Sequence, residues 1–430
     1  MSEWEVVALG DVAETRNGAG IKQDHFSESG VPLARVSDFT DYSIDLSECI
    51  HVEPEHAKQW ERHILKEGDV VVATVGSWPP NWASVVGKAV RVPRSAAGSI
   101  QNQNTCCVIA RSGSADQRFL FYLLRSKEFA LYAANAAGGS ANQARLPVAN
   151  LKAFEFAQPP LKEQKRVAHI LGTLDDKIEL NRRMNRTLEA IARAIFKSWF
   201  IDFDPVYAKA EGGEPVGMDP ETAALFPASF QDSPLGKIPK GWDVGGVRGF
   251  AEVRYGAAYS SKHFNDEGDG LPLLRIRDLK THSPQVYTTE EHSKGEVVSL
   301  GDIVVGMDGE FRAHIWTGPD SWLNQRVCKL SPIQQGLHGF VYLAVKRPLA
   351  ECERAKTGTT VIHLSKSDID SFQLIHPPRV ILKAYSHVSE PILSLGTRLA
   401  SSSADLASVR DMLLPRLLSG QLQADAVGNT

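Results

Sequence analysis

Two short runs hold the side chains with the most to offer chemically, Gln101-Asn102-Gln103-Asn104 and Asn324-Gln325-Arg326. A carboxamide sets a donor beside an acceptor, which matches the edge of adenine, and a guanidinium matches the two acceptors of guanine. The same residue types also serve as ordinary turn and strand-end groups, and the sequence leaves both uses open. Further along each half lies a glycine-centred loop, AGGSANQAR at 137–145 and KTGTTVIH at 356–363. Backbone amides in such loops can approach a phosphate. Gln143, Arg145, Thr359 and His363 are the candidate contacts there. Lys22, Arg35, Lys262, Arg275, Arg277 and Arg312 complete the set of candidate nucleic-acid contacts. Trp78, Trp82 and Trp316 offer faces to bases, although a place in a core accounts for them more simply.

Other chemistry is missing from the sequence. There is no GxxxxGK[ST], since Gly87-Lys88 is followed by Ala89 and lacks the upstream glycine. No GxGxxG opens a strand-turn-helix unit, and no HExxH or Cys/His cluster offers a metal its ligands. The Pro-Pro pairs sit in Trp78-Pro79-Pro80-Asn81, Gln158-Pro159-Pro160-Leu161 and His376-Pro377-Pro378-Arg379. None has the Asn/Asp-Pro-Pro-aromatic form that adenine amino-methyltransferases carry. Cys49, Cys106, Cys107, Cys328 and Cys352 are odd in number and include no CxxC, which argues against a disulfide framework and a zinc site. The expectation is a chain without catalytic residues, metal or cofactor. No basic-then-apolar leader opens it and no apolar run approaches a membrane span, so a soluble cytoplasmic protein is expected.

These side chains must be positioned by a domain that occurs twice. A chain of 430 residues suggests two or three domains. Trp4-Glu5-Val6 is answered by Trp242-Asp243-Val244, Arg16-Asn17-Gly18-Ala19 by Arg254-Tyr255-Gly256-Ala257, and His25-Phe26 by His263-Phe264, all at an offset of 238. PLARVSD at 32–38 matches PLLRIRD at 272–278, and GDVVV at 68–72 matches GDIVV at 301–305. Asn102-Gln103 matches Asn324-Gln325, and Tyr122-Leu123 matches Tyr342-Leu343. A Pro-Pro pair closes each copy. Such ordered self-similarity marks a duplicated structural unit. Short Val/Ile/Leu runs between Gly, Pro and Asp read as strands. Helices are expected over Phe119–Ala134 and Gly339–Lys356, so each copy is α+β. Between the copies, Tyr207–Lys240 is rich in Pro and Gly and is expected to be an irregular linker packed against something.

Each copy is followed by a helical stretch. After Pro159-Pro160, Val167, Leu171, Leu174, Ile178, Leu188, Ala192, Ile195 and Trp199 recur at steps of three and four, with Asn181 and Asn185 on the same line. That is a heptad seam, and a buried Asn on it selects one register. From Pro391, taken as a first helical residue, Ile392, Leu395, Leu399, Ser402, Leu406, Val409 and Leu413 make a second seam. The two are expected to pair as an intramolecular coiled coil. Residues 159–200 carry 9 Lys/Arg against 5 Asp/Glu. This helix is the basic part of an otherwise acidic chain, suited either to solvent or to a phosphate backbone.

The central PPLKEQKRVAHILGTLDDKIELNRRMNRTLEAIARAIFKSWFIDFDPV, the following GMDPETAALFPASFQDSPLGKIPKGW and the distal PRLLSGQL resemble the specificity subunit of type I restriction-modification systems. The order of variable domain, helix, variable domain, helix extends the resemblance over nearly the whole chain. It implies two target-recognition domains, each reading half of a bipartite, asymmetric DNA sequence. The implied fold class is α+β, with two similar globular domains separated by a long antiparallel two-helix coiled coil. The corresponding boundaries are 1–158 and 241–376 for the domains, 159–206 and 377–430 for the helical segments, and 207–240 for the linker. Implied partners are double-stranded DNA, two modification (methyltransferase) subunits and restriction (translocase/nuclease) subunits, with no membrane. The aromatic run Phe196, Trp199, Phe200, Ile201 and Phe203 is too apolar for one seam, so part of it is expected to face a partner subunit. Two rivals stay open. One is an enzyme with unfamiliar motifs, the other a coiled-coil adaptor that binds proteins without touching DNA.

Overall fold

Val70–Ala73 is buried at all four residues, which requires a strand covered on both faces. In the computed structural model it occupies an interior position of a four-stranded antiparallel sheet in the order Ala13–Asn17, Thr105–Ala110, Val70–Ala73, Ala89–Arg91. The structure describes residues 4–81, 84–140, 143–356 and 362–424. They divide into two units, Met1–Lys177 with Leu406–Thr430, and Ile178–Asp405.

In the first unit a second sheet runs Phe26–Ser27, Ile50–Val52, Val31–Ala34, Ile100–Gln101, and its last pair is parallel. Glu5–Ala8 pairs with Glu155–Gln158, which brings the start of the copy to its end. The second unit repeats the plan. Ala251–Tyr255, Val327–Pro332, Ile303–Gly306 and Ala313–Ile315 form its antiparallel sheet. Leu271–Leu274 pairs in parallel with Ser321–Leu323 in the other sheet, and Asp243–Gly245 pairs with Leu374–His376. The duplicated α+β fold expected from the repeats is present.

Each expected mid-copy helix is broken in two. Gln117–Leu123 ends before Ser126, whose hydroxyl accepts from Phe129 N–H and caps Lys127–Ala136. Its counterpart splits into His338–Ala344 and Lys346–Lys356. The linker is more ordered than its composition suggests. It contains helices Asp204–Ala210 and Pro220–Ala224, and a hairpin of Phe230–Ser233 with Gly236–Pro239. Phe226 and Ile238 are buried in the core of the second unit, so the linker packs as expected, but as folded structure.

The central helix runs Leu161–Phe200 and the distal helix Arg379–Leu418. The distal helix therefore begins twelve residues before Pro391. Ile381 and Leu382 N–H groups donate to Pro378 O at 3.0 and 3.2 Å, so the Pro-Pro pair starts this helix. Pro391 lies exposed inside it. A proline there costs about 3 kcal/mol. Burial of Ile381, Leu382 and Tyr385 in the first two turns offsets that, at roughly 1.5–3 kcal/mol for each large apolar side chain.

Each unit contains a segment of both helices, running antiparallel. In the first, Asp175 meets Arg410, and Val167 and Leu171 share a core with Leu417. In the second, Asn181 Nδ2 donates to Ser403 Oγ at 3.3 Å, and Phe196 meets Tyr385. Asn181 is fully buried on the seam, as its spacing predicts. The distal seam departs from the heptad at its end. Val409 is 45% exposed and Arg410 takes the inward place at 2%. A straight helix of 3.6 residues per turn drifts off a 3.5-residue repeat, so the inward line moves over by one residue.

Candidate nucleic-acid interface

The two sheets of each copy meet where a repeated glycine presses on a repeated asparagine. In the first unit Gly18 N–H donates to Thr105 O, Ala19 N–H to Gln101 O, and Asn102 N–H to Ala34 O, at 2.8–3.1 Å. A Cβ on Gly18 would lie 2.0 Å from Asn102 O. In the second unit Gly256, Ala257 and Asn324 N–H groups donate to Val327, Leu323 and Leu274 carbonyls. A Cβ on Gly256 would lie 2.1 Å from Asn324 O. This contact explains why Arg-x-Gly-Ala and Asn-Gln recur together. No side chain fits between the two backbones.

That junction reassigns part of the expected interface. Gln101 is fully buried, and its Nε2 donates to Arg16 O and Thr105 O, both at 3.1 Å. Asn102 is 7% exposed, and its Oδ1 accepts from Asn104 N–H. Gln101 and Asn102 hold the junction together and are not free to meet a base. Asn324 is half-buried in the same role. Arg35 and Arg275 are likewise structural. Their backbone N–H groups donate to Asp38 and Asp278, and their guanidiniums pair with the same carboxylates at 3.3 and 3.2 Å. The repeated Arg-x-x-Asp thus closes a turn that leads on from a strand.

The residues that remain outward gather beside the junction. In the first unit, strand Gln143–Arg145 pairs with Gly138–Ser140 on one side and Val75–Gly76 on the other. Thr74 N–H donates to Asn104 O at 2.9 Å, and Leu146 N–H to Thr74 O at 2.8 Å. Asn104, Gln143 and Arg145, far apart in sequence, therefore surround one short stretch. Ala144 is buried, so Gln143 and Arg145 point together to the opposite, exposed face. Trp78 Nε1 donates to Ser140 O at 2.8 Å and braces this hairpin.

In the second unit the equivalent place is organised by Asp308, a residue the sequence did not single out. His363 Nδ1 lies 2.6 Å from Asp308 Oδ1, and Arg326 Nε lies 3.3 Å from its Oδ2. Met307 N–H donates to Arg326 O and Leu364 N–H to Met307 O, which ties the three segments together. The signal available was the Asp-Gly at 308–309, directly after a repeated strand. Arg312 stands apart, paired with Glu353, which also accepts from Phe311 N–H at 2.9 Å. Trp316 is fully buried, with its Nε1 donating to Pro319 O, and belongs to the core. Thr359 and Trp82 lie outside the described residues.

Gln103 and Gln325 are exposed at the tips of the two junctions. Lys22, Lys262, Arg145 and Arg277 are exposed and form no ion pair among the described residues. Lys22 and Lys262 belong to matching short turns, Gln23–His25 with Lys22 just before it and Ser261–His263. Among the described residues no cluster of three or more His, Cys, Asp or Glu can hold a metal, and no helix is long and apolar enough to cross a membrane.

The aromatic run at the end of the central helix corrects another expectation. Phe196, Trp199, Phe200 and Phe203 are 3–7% exposed, inside the core of the second unit. Their off-seam faces are covered by this chain itself. Phe200 packs on Phe340 and Tyr385, Trp199 on Phe226, and Phe203 on Trp242. Only Ile201 of that run presents an apolar side chain outward, at 43% exposure.

The family model for the type I restriction modification DNA specificity domain matches residues 1–190 and 239–381. The chain belongs to this family. The specificity-domain chain is 25% identical to the type I restriction enzyme HindI specificity subunit of Haemophilus influenzae, over 98% of this chain and 100% of that one. It is 23% identical to the MjaIX specificity subunit of Methanocaldococcus jannaschii, over 98% and 94%. The crystal structure of a type I restriction-modification S subunit from M. genitalium shares the fold, with a TM-score of 0.56, 13% identity and 96% of both chains covered.

Proposed function

We propose that this specificity-domain chain is the DNA-reading subunit of a type I restriction-modification complex, and that each copy reads one half of a bipartite, asymmetric target. The observation that carries this reading is the pair of matched junctions. Both copies hold the same backbone frame, Gly18 on Asn102 and Gly256 on Asn324, yet display different side chains beside it. Asn104, Gln143 and Arg145 occupy the place that Arg326, Asp308 and His363 occupy in the other copy. One frame with two sets of hydrogen-bonding groups suits two different half-sites.

In this reading the exposed cations Lys22, Arg145, Lys262 and Arg277 take phosphates and set orientation. Gln103, Gln143, Gln325 and Arg326 take base edges. Arg312, Arg326 and His363, already held by carboxylates, contribute once those pairs open. Thr359 belongs to the same proposed set. The copies correspond to residues 1–158 and 241–376, with 207–240 leading into the second. The paired helices set the number of unread base pairs between half-sites and dock the modification subunits, with Ile201 a contact in place of the enclosed aromatics. Methyl transfer, translocation and cleavage would reside in modification and restriction subunits, and this chain would contribute no catalytic group. Its names among relatives, all specificity subunits, agree with that division.

The test is methylation mapping in cells that express this chain with a modification subunit. The expected result is a two-part motif with a gap of constant length. A single contiguous motif, or no methylation and no DNA shift by the assembled complex, overturns the reading and favours an adaptor.

A further inference from the structure

The second unit contains an open-sided cavity of about 310 Å³ lined by both long helices and the globular copy. Its volume lies at the lower end of the range for small-molecule sites. Leu188, Ile392, Leu393 and Leu343 make its walls apolar. Polar groups reach it at separate points. Ser389, 3% exposed, lines it, with the buried Tyr385 hydroxyl as its neighbour. Asn185 Oδ1 is a buried oxygen without a partner. Space beside it is open, since a Cβ on Gly396 would touch only that oxygen, at 3.4 Å.

The charges at the rim do not cancel. Glu189 is already paired with Arg193 at 3.9 Å. Lys346 lies 3.9 Å from the centre of the Tyr342 ring and has no carboxylate partner among the described residues. Burial lowers its pKa below the ordinary lysine value, against the pull of the Glu189 carboxylate and with the push of Arg193. His282 Nδ1 accepts from Thr317 N–H at 3.1 Å, and burial pushes its pKa down to about 4. At neutral pH the ring is therefore uncharged, with its proton on Nε2.

We propose that this cavity binds a small organic anion with an apolar body and one N–H donor, the anion meeting Lys346 and the donor meeting Asn185 Oδ1. An occupant touches both helices and the globular copy, so it stiffens the second unit at their junction. The proposal is independent of DNA reading.

The probe is 1-anilinonaphthalene-8-sulfonate, which has all three features, titrated into the folded full-length chain. Saturable binding of one molecule per chain is expected. Gly396→Met fills the open space and should weaken it at least about tenfold. Lys346→Gln should weaken the sulfonate by about tenfold while leaving the uncharged N-phenyl-1-naphthylamine unaffected. Circular dichroism and melting curves confirm that the variants are folded. Wild-type sulfonate affinity in both variants, or binding of many molecules per chain, overturns the proposal. Should Gly396→Met not fold, the sulfonate-to-amine ratio in Lys346→Gln decides alone.

Discussion

Arg410 of the distal helix donates from Nη1 to Asp175 Oδ1 of the central helix at 2.7 Å, with its side chain only 3% exposed. Its guanidinium also lies over the Tyr42 ring, 3.7 Å from the centre, and Arg125 lies over that ring at 3.6 Å. Asp175 accepts from the Tyr122 hydroxyl as well, at 2.6 Å. Arg410→Ala would leave a mostly buried carboxylate without its cation, which costs about 3–5 kcal/mol. Thermal melts should show the first unit losing stability, and Asp175→Asn in the same chain should recover part of it. Equal melting of wild type and Arg410→Ala would contradict a role for this pair in docking the distal helix.

Gly18→Ala and Gly256→Ala should each damage their own unit. The new methyl would meet carbonyl oxygens at 2.0 and 2.1 Å, and backbone cannot move aside as a side chain can. A loss on the order of 3 kcal/mol is expected. Gly20→Ala is the control, because nothing lies within 4 Å of its added carbon. Soluble yield and chemical denaturation distinguish the three.

Phosphate and base contacts separate by salt. Lys22→Ala and Arg145→Ala should weaken DNA binding by the assembled complex evenly across sequences, each lowering the salt slope by about 1. Arg326→Ala should instead relax discrimination at one position by about 1–3 kcal/mol. Fluorescence anisotropy at several salt concentrations, on cognate and single-mismatch duplexes, makes the comparison. An Arg326 variant with unchanged mismatch penalties would remove it from the reading set.

Helix length offers a direct test of spacing. Removing four residues from each long helix takes out about 6 Å of rise. The methylated motif should then show a shorter gap between its unchanged halves. An unchanged gap would show that the helices do not set the spacing.

Acid should loosen the second unit. Burial holds His282 at about 4 against the ordinary 6.5, and His314 is also lowered by burial and then by nearby cations. The unfolded chain binds these protons more readily, so stability is full above about 6.5 and declines as pH falls toward 4. His282→Gln, which cannot take a proton, should flatten that decline in melts recorded between pH 7 and 4.5.

The duplication was legible because its signals are backbone requirements. Gly18 and Gly256 must be glycine, and Asp38 and Asp278 must accept the same N–H, so both recur unchanged. The central helix was legible from its seam and the prolines before it. The distal start was misplaced because Pro391 satisfies the local rule for a first helical residue, while burial of Ile381 and Tyr385 extends the helix upstream. Gln101 and Asn102 looked like base contacts because a carboxamide that ties two sheets together and one that meets adenine are the same chemical group. Phe196 and Trp199 looked like a docking face because sequence does not reveal that Phe226, Phe340 and Tyr385 come back to cover them. Asp308 was invisible until the fold brought Arg326 and His363 to it.

Leu417 is 1% exposed and Ala424 is 3% exposed in the core of the first unit, and Ala424 N–H donates to Glu163 at 3.1 Å. On the ribosome, the patch of the first unit's core that these residues cover is completed only after the entire second unit has been translated. That patch stays uncovered through the interval, while the later unit has all its residues in hand by Asp405.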